Sequence, residues 1–319
     1  MLSRIADSIY WMSRYLERVD ATARLVEINL IHLLEGEDAL GGAAEWRPLL
    51  AICGHEAAFE AASGDRDPSG ARAMEFITRA KENPGSIRQS LRLARENARV
   101  VRDRISKEMW ECVNELWLRS EGRLDRPLAA DHYRMLRSEV ARFHGLTVST
   151  MMRGEAFGFY LLGFFLERAD MTSRILDVKY HLLLPDVSMV GSALDYYQWA
   201  ALLKSMSGFE AYRRRYPALR PEDVAAFVIL DPDFPRSLRF AVDRMQQALI
   251  SVGSPSAGTA ATAAAIELSS LLEKQDATTL LAAGLHEFLG AFLRRTSALH
   301  DALVEEYFEA HLGERACAT

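Results

Sequence analysis

Apolar residues return every three or four positions through most of the chain. Ile5, Met12, Leu16, Val19, Ala23, Val26 and Leu30 share one face of a helix running from about Leu2 to Leu34, where Glu35-Gly36 offers a stop. A second helix begins near Trp46, and Asp67-Pro68-Ser69-Gly70 and Asn83-Pro84-Gly85-Ser86 read as turns that start helices. The spacing predicts one long charged helix from Ile87 to about Leu118, free of Gly and Pro, then another from Asp131 to Val148. A similar series follows: a long helix over Gly154 to Leu184 stopped by Pro185-Asp186, a helix holding Trp199, and a start at Arg220-Pro221-Glu222-Asp223. Phe234-Pro235 opens the next helix, Ser254-Pro255-Ser256 breaks it, and two closing helices span about Thr259 to Lys274 and Ala277 to His311. No alternating apolar pattern lies between hairpin turns. The expected fold is an all-α helical bundle.

The second series copies the first. Tyr10 to Arg24, YWMSRYLERVDATAR, returns 150 positions later as Tyr160 to Arg174, YLLGFFLERADMTSR. Over residues 7–34, Tyr10, Leu16, Glu17, Arg18, Asp20, Thr22, Arg24, Leu33 and Leu34 are identical to the residues 150 further on, where roughly two matches would arise by chance. Repeated leucines follow from a repeated core, but a repeated Glu-Arg needs its own cause. Trp46, Leu49, Leu50, Gly54 and Glu56 are echoed by Trp199, Leu202, Leu203, Gly208 and Glu210, and Ser90-Leu91-Arg92 by Ser237-Leu238-Arg239. The chain therefore reads as one compact helical domain of two pseudo-symmetric halves, 1–148 and 149–319, each opening with a long Glu-Arg helix.

Composition adds bounds. A chain of 319 residues with 49% hydrophobic and 26% charged residues is of ordinary globular make-up. Three scattered cysteines, Cys53, Cys112 and Cys317, form neither a disulfide framework nor a zinc pattern. No signal sequence and no membrane-length apolar run is found, so a cytoplasmic protein is expected. The net charge of −6 disfavours general nucleic-acid binding.

Residues seven apart on a helix lie nearly in line. Arg18 stands between Trp11 and Leu25, and Arg168 between Leu161 and Ile175; Glu17 stands between Tyr10 and Arg24, and Glu167 between Tyr160 and Arg174. A charge in an apolar stripe must be paired, because an isolated buried charge costs several kcal/mol or more. Reciprocal pairs are expected, Glu17 with Arg168 and Glu167 with Arg18, between helices that pack antiparallel or steeply crossed. Three readings stand: a structural pairing that fixes helix register, a polar cavity in which Glu17 and Glu167 bind a charged ligand or act as acid and base, and a partner-binding face.

Arg88, Arg92, Arg95, Arg99 and Arg102 form a line beside the apolar line of Leu91, Ala94, Ala98, Val101 and Ile105. Such a stripe is either a solvated face balanced by Glu96, Asp103 and Glu108, or a dock for carboxylates, phosphates or an acidic partner. None of the eight histidines belongs to a Glu-x-x-His, and no phosphate loop or Gly-x-Ser-x-Gly is found, so neither metal nor cofactor is expected. Cys112 falls on an apolar line with Ile105, Met109 and Leu116 and reads as core.

The opening MLSRIADSIYWMSRYLERVDATARLVE, the segment ARENARVVRDRISKEMWECVNELW and the later FLERADMTSRILD resemble the bacterial alpha-E domain family across essentially the whole chain. Its pattern falls on Tyr10, Trp11, Arg14, Glu17, Arg18 and Arg24, on Arg95, Glu96, Asn97, Arg99, Trp110 and Asn114, and on Glu167, Arg168 and Arg174. Gly163-Phe164 stands where the family often has Gly-Arg, so the second half lacks a copy of Arg14. The resemblance implies a helical partner of a circularly permuted ATP-grasp ligase, often beside a transglutaminase-like protein and a peptidase, in a peptide-bond-forming system. The candidate polar network is accordingly Tyr10, Arg14, Glu17, Arg18, Arg24, Arg95, Glu96, Asn97, Arg99, Arg102, Tyr160, Glu167, Arg168 and Arg174. A stand-alone enzyme and a ligand-free scaffold remain the alternatives.

Overall fold

The computed structural model describes residues 1–34, 43–63, 69–182, 193–253, 259–276, 280 and 284–308. Among these, fourteen α-helices and no strand occur. The first seven are α1 (Ser3–Leu34), α2 (Ala43–Ile52), α3 (Glu56–Ser63), α4 (Gly70–Thr78), α5 (Ile87–Val100), α6 (Lys107–Glu121) and α7 (Ala130–Thr150). The next seven are α8 (Glu155–Leu182), α9 (Ala193–Ser205), α10 (Phe209–Arg215), α11 (Pro221–Leu230), α12 (Leu238–Ser251), α13 (Ala260–Glu273) and α14 (Leu285–Leu303), the last running into a π turn, Val304–Phe308. The lengths run 32, 10, 8, 9, 14, 15 and 21 residues, then 28, 13, 7, 10, 14, 14 and 19.

α1 and α8 form the centre. α5 and α7 pack on α1, α12 and α14 pack on α8, and α1 lies against α8. Ile9, Tyr10, Met12, Val19 and Val26 of α1 and Tyr160, Leu162, Ala169 and Leu176 of α8 are buried. Contacts climb both helices in the same direction, from Ser13 with the Tyr160 carbonyl to Arg18 with Glu167 and Glu17 with Arg168. The helices are therefore parallel neighbours, not antiparallel or steeply crossed. Gly163 makes this approach feasible, since a Cβ there would lie 2.3 Å from the Tyr10 carbonyl oxygen.

Two long helices predicted from spacing are broken. The expected Ile87–Leu118 helix stops at Val100; a turn follows, and Ser106 caps α6 by accepting from the Met109 amide at 3.2 Å. Val101 and Ile105 are buried in that reversal, so α6 folds back on α5 without any Gly or Pro to announce it. The expected Ala277–His311 helix is interrupted at Gly284, which takes φ 93°; Leu280 ahead of it is helical, and α14 starts at Leu285. Residues 277–279 and 309–311, the stops at Glu35-Gly36 and Pro185-Asp186, and the Ser254-Pro255-Ser256 break lie outside the described residues. Phe234-Pro235 is a turn ahead of α12, whose cap is Ser237.

The echoes also shift register. Ser86 caps α5 and donates to the Ala80 carbonyl, while Ser237 caps α12 and donates to the Asp231 carbonyl, so Ser237 corresponds to Ser86 and not to Ser90. Gly54 (φ 69°) and Ser207 (φ 52°) occupy the same left-handed turn position after α2 and α9, so Gly54 corresponds to Ser207 and not to Gly208. Trp46 and Trp199 are buried alike.

Candidate functional site

Helical periodicity puts Glu17 and Arg18 on the side of α1 that meets Glu167 and Arg168 of α8. Each carboxylate receives a bidentate guanidinium from the other helix. Arg168 donates through Nε (2.7 Å) and Nη2 (3.0 Å) to Glu17, and Arg18 through Nε (2.6 Å) and Nη2 (3.0 Å) to Glu167. A second arginine completes each cluster. Arg14 Nε reaches Glu167 at 2.8 Å, and Arg236 Nη1 reaches Glu17 at 3.2 Å while its Nη2 reaches Asp20 at 2.6 Å. Arg24 and Arg174 hold Asp20 and Asp170, one helical turn before them.

Burial alone would raise both glutamates, but the arginines outweigh it. Arg18 and Arg14 hold Glu167 down at about 2, and Arg168 and Arg236 hold Glu17 well below the usual carboxylate range. Carboxylates so clamped neither give nor take a proton near neutral pH. The geometry thus opposes Glu17 and Glu167 as general acid and base, the role considered for them from sequence.

Tyrosines and histidines flank the pairs. Tyr10 shares a hydrogen bond with His300 Nδ1 at 2.8 Å, and Tyr160 shares one with His144 Nδ1, whose Nε2 stands 3.8 Å from Glu17. Burial raises the Tyr10 phenol to about 12 and lowers His300 to about 4, so both are neutral at pH 7. Each histidine comes from the half opposite its tyrosine, so these contacts knit α7 to α8 and α14 to α1.

A cavity of about 480 Å³ opens at the Glu167 cluster. It is bounded by Arg14, Arg18 and Thr22 of α1, by Glu167, Asp170 and Arg174 of α8, by Cys53, Gly54, His55 and Gly85 from two turns, and by Thr296, Ser297 and His300 of α14. Three guanidinium groups face two carboxylates, leaving one positive charge in excess, since burial keeps His55 and His300 neutral. Arg18 Nη1 and Arg174 Nη1 have no acceptor among the described residues. Burial lifts the Cys53 thiol to about 11, which rules it out as a ready nucleophile. Among the described residues no His, Cys, Asp and Glu group is arranged to hold a metal ion.

Of the residues singled out from sequence, Tyr10, Arg14, Glu17, Arg18, Glu167 and Arg168 meet in the central network, with Arg24, Arg174 and Tyr160 at its ends. The arginine stripe lies elsewhere. Arg88 is bidentate to Glu121 at 2.7 Å, Arg95 bonds Asn114 and Glu96, Arg99 bonds Glu96, and Asn97 donates to the Leu93 carbonyl. Arg102 is no longer on α5; it sits in the turn after it and stacks over Trp110 with Arg95. Sequence reasoning missed Asp20 and Asp170, although their repetition ahead of an arginine was a signal. It also missed His55, His144, His300 and Arg236, which stand in no repeated motif.

An all-helical domain centred on reciprocal Glu-Arg pairs is the class that this fold and site define. The chain belongs to the Alpha-E family, described as a predicted alpha-helical domain with a conserved ER motif, whose model matches residues 1–308. No curated protein and no solved structure matches it. Among the described residues no helix is long and apolar enough to cross a membrane.

Proposed function

We propose that this chain is a helical subunit that docks on an ATP-grasp-type amide or peptide ligase and holds an anionic substrate or peptide for it. The observation that carries the reading is the cavity beside Glu167, where Arg18 and Arg174 present N–H groups with no acceptor among the described residues. Guanidinium groups lining a cavity are suited to a carboxylate or phosphate. The ligase as partner follows from the family resemblance, as do a transglutaminase-like protein and a peptidase as further members of the assembly. The halves 1–148 and 149–319 are, in this reading, copies of one seven-helix unit joined through α1 and α8. Their Glu-Arg pairs fix the geometry of the cavity and leave the chemistry to the partner. The test is purification of the tagged chain from its native host. An ATP-grasp-type ligase should co-elute and should be lost at high salt, and recovery of the chain without any such ligase at low salt would refute the docking role.

A further inference from the structure

The turns that close the two clusters carry different side chains. In the second half, the turn before α12 carries Arg236, and Gly208, the counterpart of His55, packs on Phe234 of that turn, where a Cβ would lie 2.7 Å from the ring. In the first, the matching turn before α5 carries Gly85 opposite His55, whose ring lies so close that a Cβ on Gly85 would fall 2.2 Å from its Cε1. Arg236 fills the Glu17 side, and its counterpart position leaves the Glu167 side open.

The filled side shows what the open side lacks. There the Pro235 carbonyl accepts from Arg168 Nη1 at 3.3 Å, the Ser207 hydroxyl accepts from Arg24 Nη1, and the Arg236 guanidinium gives Asp20 a second cation. On the open side Arg18 and Arg174 are the counterparts of Arg168 and Arg24. Gly54 has no hydroxyl to offer, and both Nη1 groups lack an acceptor among the described residues. Asp170 is held by Arg174 alone, at 2.7 and 3.3 Å, and has 22% of its side chain exposed where Asp20 has 6%. Acceptor oxygens for two arginines and a cation for one aspartate are the missing complements.

We infer that the cavity takes a small zwitterion, an amino acid or a peptide end, with its carboxylate on Arg18 and Arg174 and its ammonium at Asp170. This rests on the anion-holding reading and narrows it. The filled side carries Arg24, Arg168 and Arg236 against Glu17 and Asp20, the same excess of one positive charge as the open side. A net-neutral ligand keeps that balance. A cavity of about 480 Å³ is of the size that small-molecule sites have, about 300–1,000 Å³.

The experiment is calorimetric titration of the full chain at pH 7 with four probes. Glycylglycine has both charged ends, N-acetylglycine lacks the ammonium, glycinamide lacks the carboxylate, and inorganic phosphate is an anion alone. Glycylglycine should bind at least tenfold tighter than N-acetylglycine, and glycinamide should not bind. Asp170→Asn should erase the tenfold advantage, and Arg174→Ala should weaken both carboxylates at least tenfold. The paired change His55→Gly with Gly85→Arg copies the filled side. It should abolish binding while the melting midpoint stays at or above the parent's, which separates loss of the site from loss of the fold. If N-acetylglycine or phosphate matches glycylglycine, or Asp170→Asn keeps the preference, the zwitterion is overturned and the anion reading stands. If none of the four binds, the cavity is no ligand site and both fail, leaving docking to be judged by co-purification.

Discussion

At the scale of single residues, the buried charges make the sharpest forecasts. Removing Arg168 leaves Glu17, 1% exposed, with Arg236 alone as a close guanidinium partner. Arg168→Ala should cost about 3–5 kcal/mol, whereas Arg99→Ala, on an exposed pair with Glu96, should cost about 0–1. Urea midpoints of the two variants check this, and equal midpoints contradict a buried clamp. Acid should act in two stages. His132 and His300 are lowered from 6.5 to about 4, chiefly by burial, so between those values the unfolded chain takes up protons that the folded chain resists, and stability declines. Glu167 is lowered from 4.5 to about 2, so its contribution is complete above 4.5 and lost as pH falls toward 2. That contribution is roughly 3 kcal/mol at 1.36 kcal/mol per unit. A urea midpoint unchanged from pH 7 to pH 4 would show that neither histidine feels the fold, and one unchanged from there to pH 2 would show the same of Glu167.

Among the helices, close approach and capping decide. Gly163→Ala places a methyl against the Tyr10 carbonyl, which the α1 backbone cannot yield without parting from α8. Overpacking of this kind costs about 1–3 kcal/mol, and near-parental stability by urea denaturation would mean the helices separate freely. Ser86→Ala and Ser237→Ala should each cost about 1 kcal/mol, because the same hydroxyl caps a helix and ties down the turn before it. Helix type and most helix starts were legible from apolar spacing and from serine, proline and asparagine turns. The break after Val100 was not, because Val101 and Ile105 are apolar in a helix and in a buried reversal alike. Reciprocal Glu-Arg pairing followed from charged residues set in apolar stripes. The cavity did not, since it depends on which of two turns contributes a side chain, and that comparison needs Gly85 set opposite Arg236 in the register that the caps establish.

For the whole molecule, the pairs between α1 and α8 and the crossed Tyr10–His300 and Tyr160–His144 contacts tie the halves together. Far-ultraviolet dichroism and tryptophan fluorescence should therefore report one coincident unfolding transition. Two separated transitions would show that residues 1–148 and 149–319 are independent bodies. Arg236 carries a different consequence. A symmetric pair of identical units would display two equivalent mouths and could be approached in either of two orientations. One arginine removes that degeneracy: with Arg236 on the Glu17 cluster and Gly85 at the matching turn of the Glu167 cluster, the molecule has a front and a back, and any ligand held as proposed would be met from one direction only.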